Sequence, residues 1–145
     1  MAKRTAGETM RKSDHIYVAT TRGVRVAVTP RFMEEESSHH DGRYFWAYSV
    51  EIVNGADETI QLLSRHWRIS DGTGNQQEVK GPGVVGEQPI LRAGESFTYT
   101  SGCPLSTPHG SMTGAYLMST EAGERFEAQI PAFPLQSPYA RVTVH

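Results

Sequence analysis

The feature that most limits this chain is an apolar alternation of period two, broken at short intervals by glycine and proline. No stretch shows a helical period with caps. Successive side chains on an extended strand face opposite ways, so large apolar residues at every second position make one face of a sheet. Tyr44, Trp46, Tyr48, Val50 and Ile52 form the clearest such row. Phe45, Ala47, Ser49, Glu51 and Val53 make the smaller, more polar opposite set. The first row is therefore predicted to face the core, with a turn at Asn54-Gly55, two residues that tolerate positive φ.

Other segments follow the same rule. Val24, Val26 and Val28 read as a strand that Pro30 interrupts. From Ile60 to Ser70 the register changes: Ile60 and Leu62 are apolar at even positions, Leu63, Trp67 and Ile69 at odd ones. One extra residue flips the facing of all that follow, so a β-bulge near Leu62 to Ser64 is predicted. The run Asp71 to Asn75 reads as a turn, Gln76 to Lys80 as a short polar strand, and Glu95 to Thr100 as a strand after the Ala93-Gly94 turn. Met112 to Ser119 is a strand in which Gly114 allows a bend or a close backbone approach. Phe126, Ala128 and Ile130 mark another, ended by Pro131 and Pro134, and a last short strand is placed at Tyr139 to Val144. Seven or eight strands of this kind most often close as a β-sandwich of two antiparallel sheets, the architecture of immunoglobulin-like domains. The segment around Tyr116 resembles the tyrosine corner of such sandwiches, without its cysteine.

A chain of 145 residues is one domain's worth. It can bury about 70% of its unfolded surface, so a core without disulfides or structural metal is feasible. Lys and Arg number 14 against 16 Asp and Glu, a formal charge of −2. General nucleic-acid binding needs an excess of positive charge and is not expected. The one cysteine, Cys103, permits no intramolecular disulfide and no multi-Cys zinc site, and a free thiol suits a reducing cytosol. No apolar run approaches the roughly 20 residues of a membrane helix. None follows Lys3, Arg4, Arg11 and Lys12, so no secretory signal is read. Residues 1–14 read as a disordered, mildly basic tail and residues 15–145 as a single domain.

Three clusters are candidates for chemistry. Gly81-Pro82-Gly83-Val84-Val85-Gly86 fits G-x-G-x-x-G, but a phosphate loop needs a helix directly afterwards, and Glu87-Gln88-Pro89 obstructs one. It reads as a connection between strands, or as a backbone anion nest. Arg65 falls in the apolar row of Leu63, Trp67 and Ile69, where a charge requires a partner; Glu87 and Glu95 are the expected ones, with an anion anchor as the functional alternative. His66 should face the opposite side. The acidic and His-rich run Glu34 to Asp41 offers His39, His40 and Asp41 as candidate divalent-cation ligands. Enzyme motifs are missing: no G-x-S-x-G, H-E-x-x-H, Walker A or C-x-x-C. A Cys103–His109 nucleophile pair is conceivable but unsupported.

Longer motifs carry further. Tyr44-Phe45-Trp46-Ala47-Tyr48, then Gln61-Leu62-Leu63-Ser64-Arg65-His66-Trp67, then Gly81 through Pro89, Tyr99-Thr100-Ser101-Gly102 and Thr107 through Tyr116 resemble the ApaG family over nearly the whole chain. The resemblance implies a fibronectin type III-like sandwich in a bacterial cytosolic protein, often encoded beside a diadenosine tetraphosphate hydrolase. It also implies a phenotypic association with cobalt resistance and magnesium efflux, and it supplies no active site. Similar eukaryotic domains look like protein-interaction modules. The first expectation is thus a non-enzymatic, cytoplasmic interaction module linked to divalent-cation homeostasis, without cofactor. Its partner is another protein, and its contact surface is Arg65, Gly81, Gly83, Gly86 and Glu87 with Thr107 and Gly110 at the same end. The alternatives are a sensor for a phosphate-bearing small ligand at the glycine loop, and direct divalent-metal binding. Edge strands also make a homodimer conceivable.

Overall fold

A computed structural model describes residues 15–140. Nine strands follow in order: β1 (Tyr17–Thr21), β2 (Val24–Phe32), β3 (Tyr44–Asn54), β4 (Ile60–Asp71), β5 (Gln76–Pro82), β6 (Ile90–Leu91), β7 (Ser96–Leu105), β8 (His109–Thr120) and β9 (Arg125–Gln136), with one 3-10 turn at Glu34–Glu36. They form two antiparallel sheets, ordered β1-β2-β3-β7 and β5-β4-β8-β9, with β6 pairing β4 beyond the end of β5. The fold is the expected β-sandwich of two antiparallel sheets. β1 and two-residue β6 are the strands that periodicity did not reveal: β1 puts only Tyr17, Ala19 and Thr21 on its half-buried face, without a row of large apolar residues, and β6 is too short to alternate.

The alternation in β3 works as expected: Tyr44, Trp46, Tyr48, Val50 and Ile52 are all buried and the residues between them half-exposed. They pack against Trp67, Met112, Tyr116, Met118, Ile130 and Phe133 of the facing sheet. The bulge in β4 lies between Leu62 and Ser64, where the pairing with β8 shifts register. Ile60 and Leu62 before it, and Trp67 and Ile69 after it, are thereby all buried. A second shift lies in β8 between Met112 and Gly114, in its pairing with β9.

The prolines do not end strands as predicted. Pro30 pairs with Tyr48 within β2, and β9 continues through Pro131 and Pro134. Both placements are edge placements: β1 pairs with β2 only as far as Val28, and β9 is the last strand of its sheet. A missing N–H is tolerated where no neighbour needs it. Likewise, Tyr139 and Ala140 lie in a turn closed by Ala140 N–H to Ser137 O, not in a strand; residues 141–144 of that expectation, and the tail 1–14, fall outside the described residues. Tyr116 is not a tyrosine corner either. Its hydroxyl hydrogen-bonds the Tyr99 hydroxyl across the core rather than the backbone.

Asn54 ends β3 fully buried, and its amide explains why. Nδ2 donates to Glu58 O and Leu91 O at 2.8 and 2.9 Å, and Oδ1 accepts from Ala56 N at 3.0 Å. One side chain thus ties the β3–β4 turn to β6, satisfying polar groups that burial would otherwise penalise.

Candidate functional site

The sandwich is closed on one side and open on the other. β9 packs against β1 and β2, and Thr21 Oγ1 accepts from Gln129 N. On the opposite side β5 and β7 flank a cleft. A cavity of about 200 Å3 there is lined by Tyr48, Arg65, Trp67, Val79, Ser101 and Cys103, among others. A second of about 140 Å3 continues it past Gln77 and Pro104 to Leu105 and Ser106.

Arg65 lies on the inner face of β4, as its register predicted, but its partners are not carboxylates. Nη1 donates to Pro82 O at 3.1 Å and Gly83 O at 3.0 Å. Glu87 pairs through its backbone with Val84, and Glu95 accepts from Arg92 N. The ion pair expected with one of them is therefore not formed, because both glutamates sit on turns whose own backbone they serve. The guanidinium lies against Gly81, where a Cβ would stand 3.0 Å from both Nη1 and Nη2. A side chain at this position would push the guanidinium aside by a few tenths of an ångström. The charge of Arg65 also acts on the hydroxyls of Tyr48, Tyr99 and Tyr116. Burial, the dominant cause, raises the pKa of all three, so they stay neutral donors.

The glycine motif forms a hairpin between β5 and β6. Val84 and Glu87 exchange both backbone hydrogen bonds, at 2.8 and 2.9 Å, around Val85 and Gly86. Both central residues have positive φ, 43° and 81°, which is a two-residue hairpin of the I′ kind. Gly83 N donates to Leu63 O, so three amides of the would-be anion nest are already spent. Val85 stands out. A β-branched residue at positive φ is strained, yet this one displays 55% of its surface to solvent at the hairpin tip. It lies within the Gly81 to Pro89 loop expected as contact surface but is not singled out there, although Val in the position where a tight turn wants Asn is an available signal.

A family model described as the ApaG domain matches residues 34–120. The chain belongs to the ApaG family. Curated ApaG proteins of Methylorubrum populi and Beijerinckia indica are 64% and 53% identical to it, over 90% and 87% of this chain and 100% and 97% of theirs. The crystal structure of the putative ApaA protein from Bordetella pertussis superposes with a TM-score of 0.78 at 48% identity, covering 81% of this chain and 95% of that one. The C-terminal domain of wzt shares the fold alone, with a TM-score of 0.51 and 9% identity over 93% and 90% of the two chains. The matched ApaG segment contains Arg65 and the whole hairpin.

Thr107 and Gly110 do not join this site in the ApaG domain. Thr107 Oγ1 accepts from Gly72 N at 2.9 Å at the β4–β5 turn, and Gly110 pairs with Asp71. The hairpin instead meets β4 at Leu63. From Leu63 to Gly72 is roughly 25–30 Å of extended chain. The predicted single contact surface is thus two surfaces, because β4 runs the length of the sheet between them.

The acidic loop is folded on itself. His39 stacks on Tyr139 at a centroid distance of 4.2 Å and its Nδ1 hydrogen-bonds the Tyr44 hydroxyl. Asp41 takes Ser38 and Arg43, and His40 is exposed. Among the described residues no three His, Cys, Asp or Glu side chains gather as metal ligands. His66 faces away from Arg65, as expected, with Nε2 3.5 Å from Glu78 Oε1.

Cys103 is 2% exposed, and burial pushes its pKa up to about 11. His109 packs over Gly72 at the β4–β5 turn. The thiolate is the reactive form, so the native protein at pH 8 should react with a thiol reagent such as DTNB at least tenfold more slowly than the urea-unfolded chain. Equal rates would place the thiol in solvent. Among the described residues no helix is long and apolar enough to cross a membrane.

Proposed function

We propose that this ApaG domain is a non-enzymatic interaction module that receives a segment of a partner protein in the cleft between β5 and β7. One observation carries the reading. Arg65, a half-buried cation on the inner face of the sandwich, has only neutral partners among the described residues, and it lines an open cavity. Charges in such positions are ordinarily paired. The hairpin braced by Arg65 supports the same reading, since it holds Val85 exposed at the expense of backbone strain. Strain of this kind clusters where function requires a particular surface.

A larger groove of about 420 Å3, lined by Tyr17, Phe32, Trp46, Pro134 and others, opens at the β1–β2–β9 end. Its rim runs to His15, the boundary of the described residues, and it too holds a half-buried arginine, Arg31, with no ion pair among the described residues; unlike Arg65, Arg31 has no backbone carbonyls bracing its guanidinium there. A role in cobalt or magnesium handling rests on the family resemblance alone and on this reading runs through the partner.

A photo-crosslinking amino acid at Gln77, exposed on β5 at the cleft, tests the reading in cell extract. Glu127, exposed on β9 across the molecule, is the control position. A discrete protein adduct from position 77 and none from 127 is expected. The same adducts from both positions, or none from 77, would remove the cleft as the docking surface. Val85→Asn relieves the strained turn residue and should stabilise the fold by about 1 kcal/mol, while weakening the adduct. This is the trade expected where a surface serves binding rather than stability.

A further inference from the structure

We propose that Arg65 is a carboxylate receptor, and that the segment entering the cleft presents an acidic side chain to the Nε–Nη2 edge of its guanidinium. The inference rests on the cleft reading above and adds the chemistry of what is read there.

A guanidinium offers five N–H donors in a planar fork. In Arg65 the Nη1 donors are taken by Pro82 O and Gly83 O. Neither Nε nor Nη2 has an acceptor among the described residues, whose ion pairs use Arg22, Arg25, Arg43, His66 and Arg68 instead. The Nε–H and one Nη2–H are parallel and coplanar, the spacing that a carboxylate meets with two hydrogen bonds. The two carbonyls and Gly81 hold the group flat, so little freedom is lost when a ligand arrives.

The surroundings favour a carboxylate over a phosphate. No second Lys or Arg lines the cavity, so one positive charge meets the ligand. A single carboxylate matches it, whereas a phosphate dianion would be left half-neutralised. The remaining polar groups are neutral: the Tyr48 and Ser101 hydroxyls and the Gln77 amide. Trp67 and Tyr48, edge to face at 5.2 Å, supply an apolar wall for the methylene stem of a glutamate. The cleft also extends past Pro104 to Ser106. That elongation along two strand edges suits an extended polypeptide rather than a free small acid.

The probe is the peptide acetyl-Ser-Thr-Glu-Thr-Ser-amide, followed by the Arg65 Nε–H and Trp67 Nε1–H resonances of the full chain. Its glutamine counterpart, sodium acetate and inorganic phosphate are titrated at matched ionic strength. Saturable shifts with the glutamate peptide, at least tenfold weaker with the glutamine peptide, are expected. Acetate should shift the same resonances only at concentrations at least tenfold higher. Arg65→Lys keeps the charge but lacks the fork and should weaken the response, read at Trp67, at least tenfold. Gly81→Ala keeps the arginine but displaces it and should do the same; a preserved amide spectrum shows that each variant is folded. Equal response to both peptides, an equal response to phosphate, or undiminished binding in a folded Arg65→Lys protein would overturn the carboxylate assignment. Acetate as potent as the peptide would overturn the polypeptide. Crosslinking at Gln77 separates the two claims: an adduct that persists when the peptide does not bind sinks only the carboxylate.

Discussion

Trp67→Ala is expected to destabilise the domain by about 3–5 kcal/mol, the range for deleting a buried large aromatic. Trp67 is 2% exposed on β4, and its ring meets Tyr48 of β3, Tyr116 of β8 and Phe133 of β9 at 5.2, 6.4 and 6.0 Å. All three contacts are edge-to-face, the geometry in which ring quadrupoles attract. The indole therefore joins the two sheets as well as filling space, and its removal leaves a void that neighbours on rigid strands cannot collapse into. Total stabilities are about 5–15 kcal/mol, so the variant should sit near the edge of folding, with a melting temperature lower by roughly 10–15 °C. Urea unfolding with an unchanged m-value measures it. A loss under 1 kcal/mol would mean that the ring is not a bridge. Trp67→Phe, which keeps an aromatic face, should recover more than half of the loss.

Gly114→Ala is the second large effect, and it arises from adding one carbon rather than removing many. Gly114 lies opposite Trp67 in the β4–β8 ladder, at the register shift toward β9. A Cβ there would stand 2.1 Å from His66 O and 3.1 Å from the carbonyl carbon. Both atoms are backbone of a central strand, so no rotamer change relieves the clash and the ladder must part. About 3 kcal/mol is expected, the upper part of the usual overpacking range. Reduced or lost amide protection at His66 and Gly114, measured by hydrogen exchange, would locate the damage. Protection lost only in β9 would show instead that the strand slides outward as a unit.

The positions of these two residues differ in how readable they were. Trp67 belongs to an alternation, and alternation is a property of the strand itself: the pleat sends side chains to opposite faces whatever the strand pairs with. The same reason made the β3 row and the β4 bulge legible, since an apolar run that changes parity can keep one face buried only by inserting a residue. Gly114 was legible as a place of close approach, but what approaches it was not.

What the amino-acid order determined by itself is therefore local: which face of each long strand is buried, where β4 slips by one residue, that Gly81 to Glu87 cannot open a helix, and that Arg65 points inward among apolar neighbours. The tertiary structure decided everything that depends on which strands are neighbours. It placed Pro30, Pro131 and Pro134 where a missing N–H goes unneeded, so they continue strands instead of ending them. It set Thr107 and Gly110 a sheet's length from the glycine hairpin. It gave Arg65 two carbonyls in place of a glutamate and set it in the lining of an open cleft. Edge or centre, near or far, paired or unpaired are outcomes of contacts between residues distant in sequence, and a pattern of period two carries no record of them.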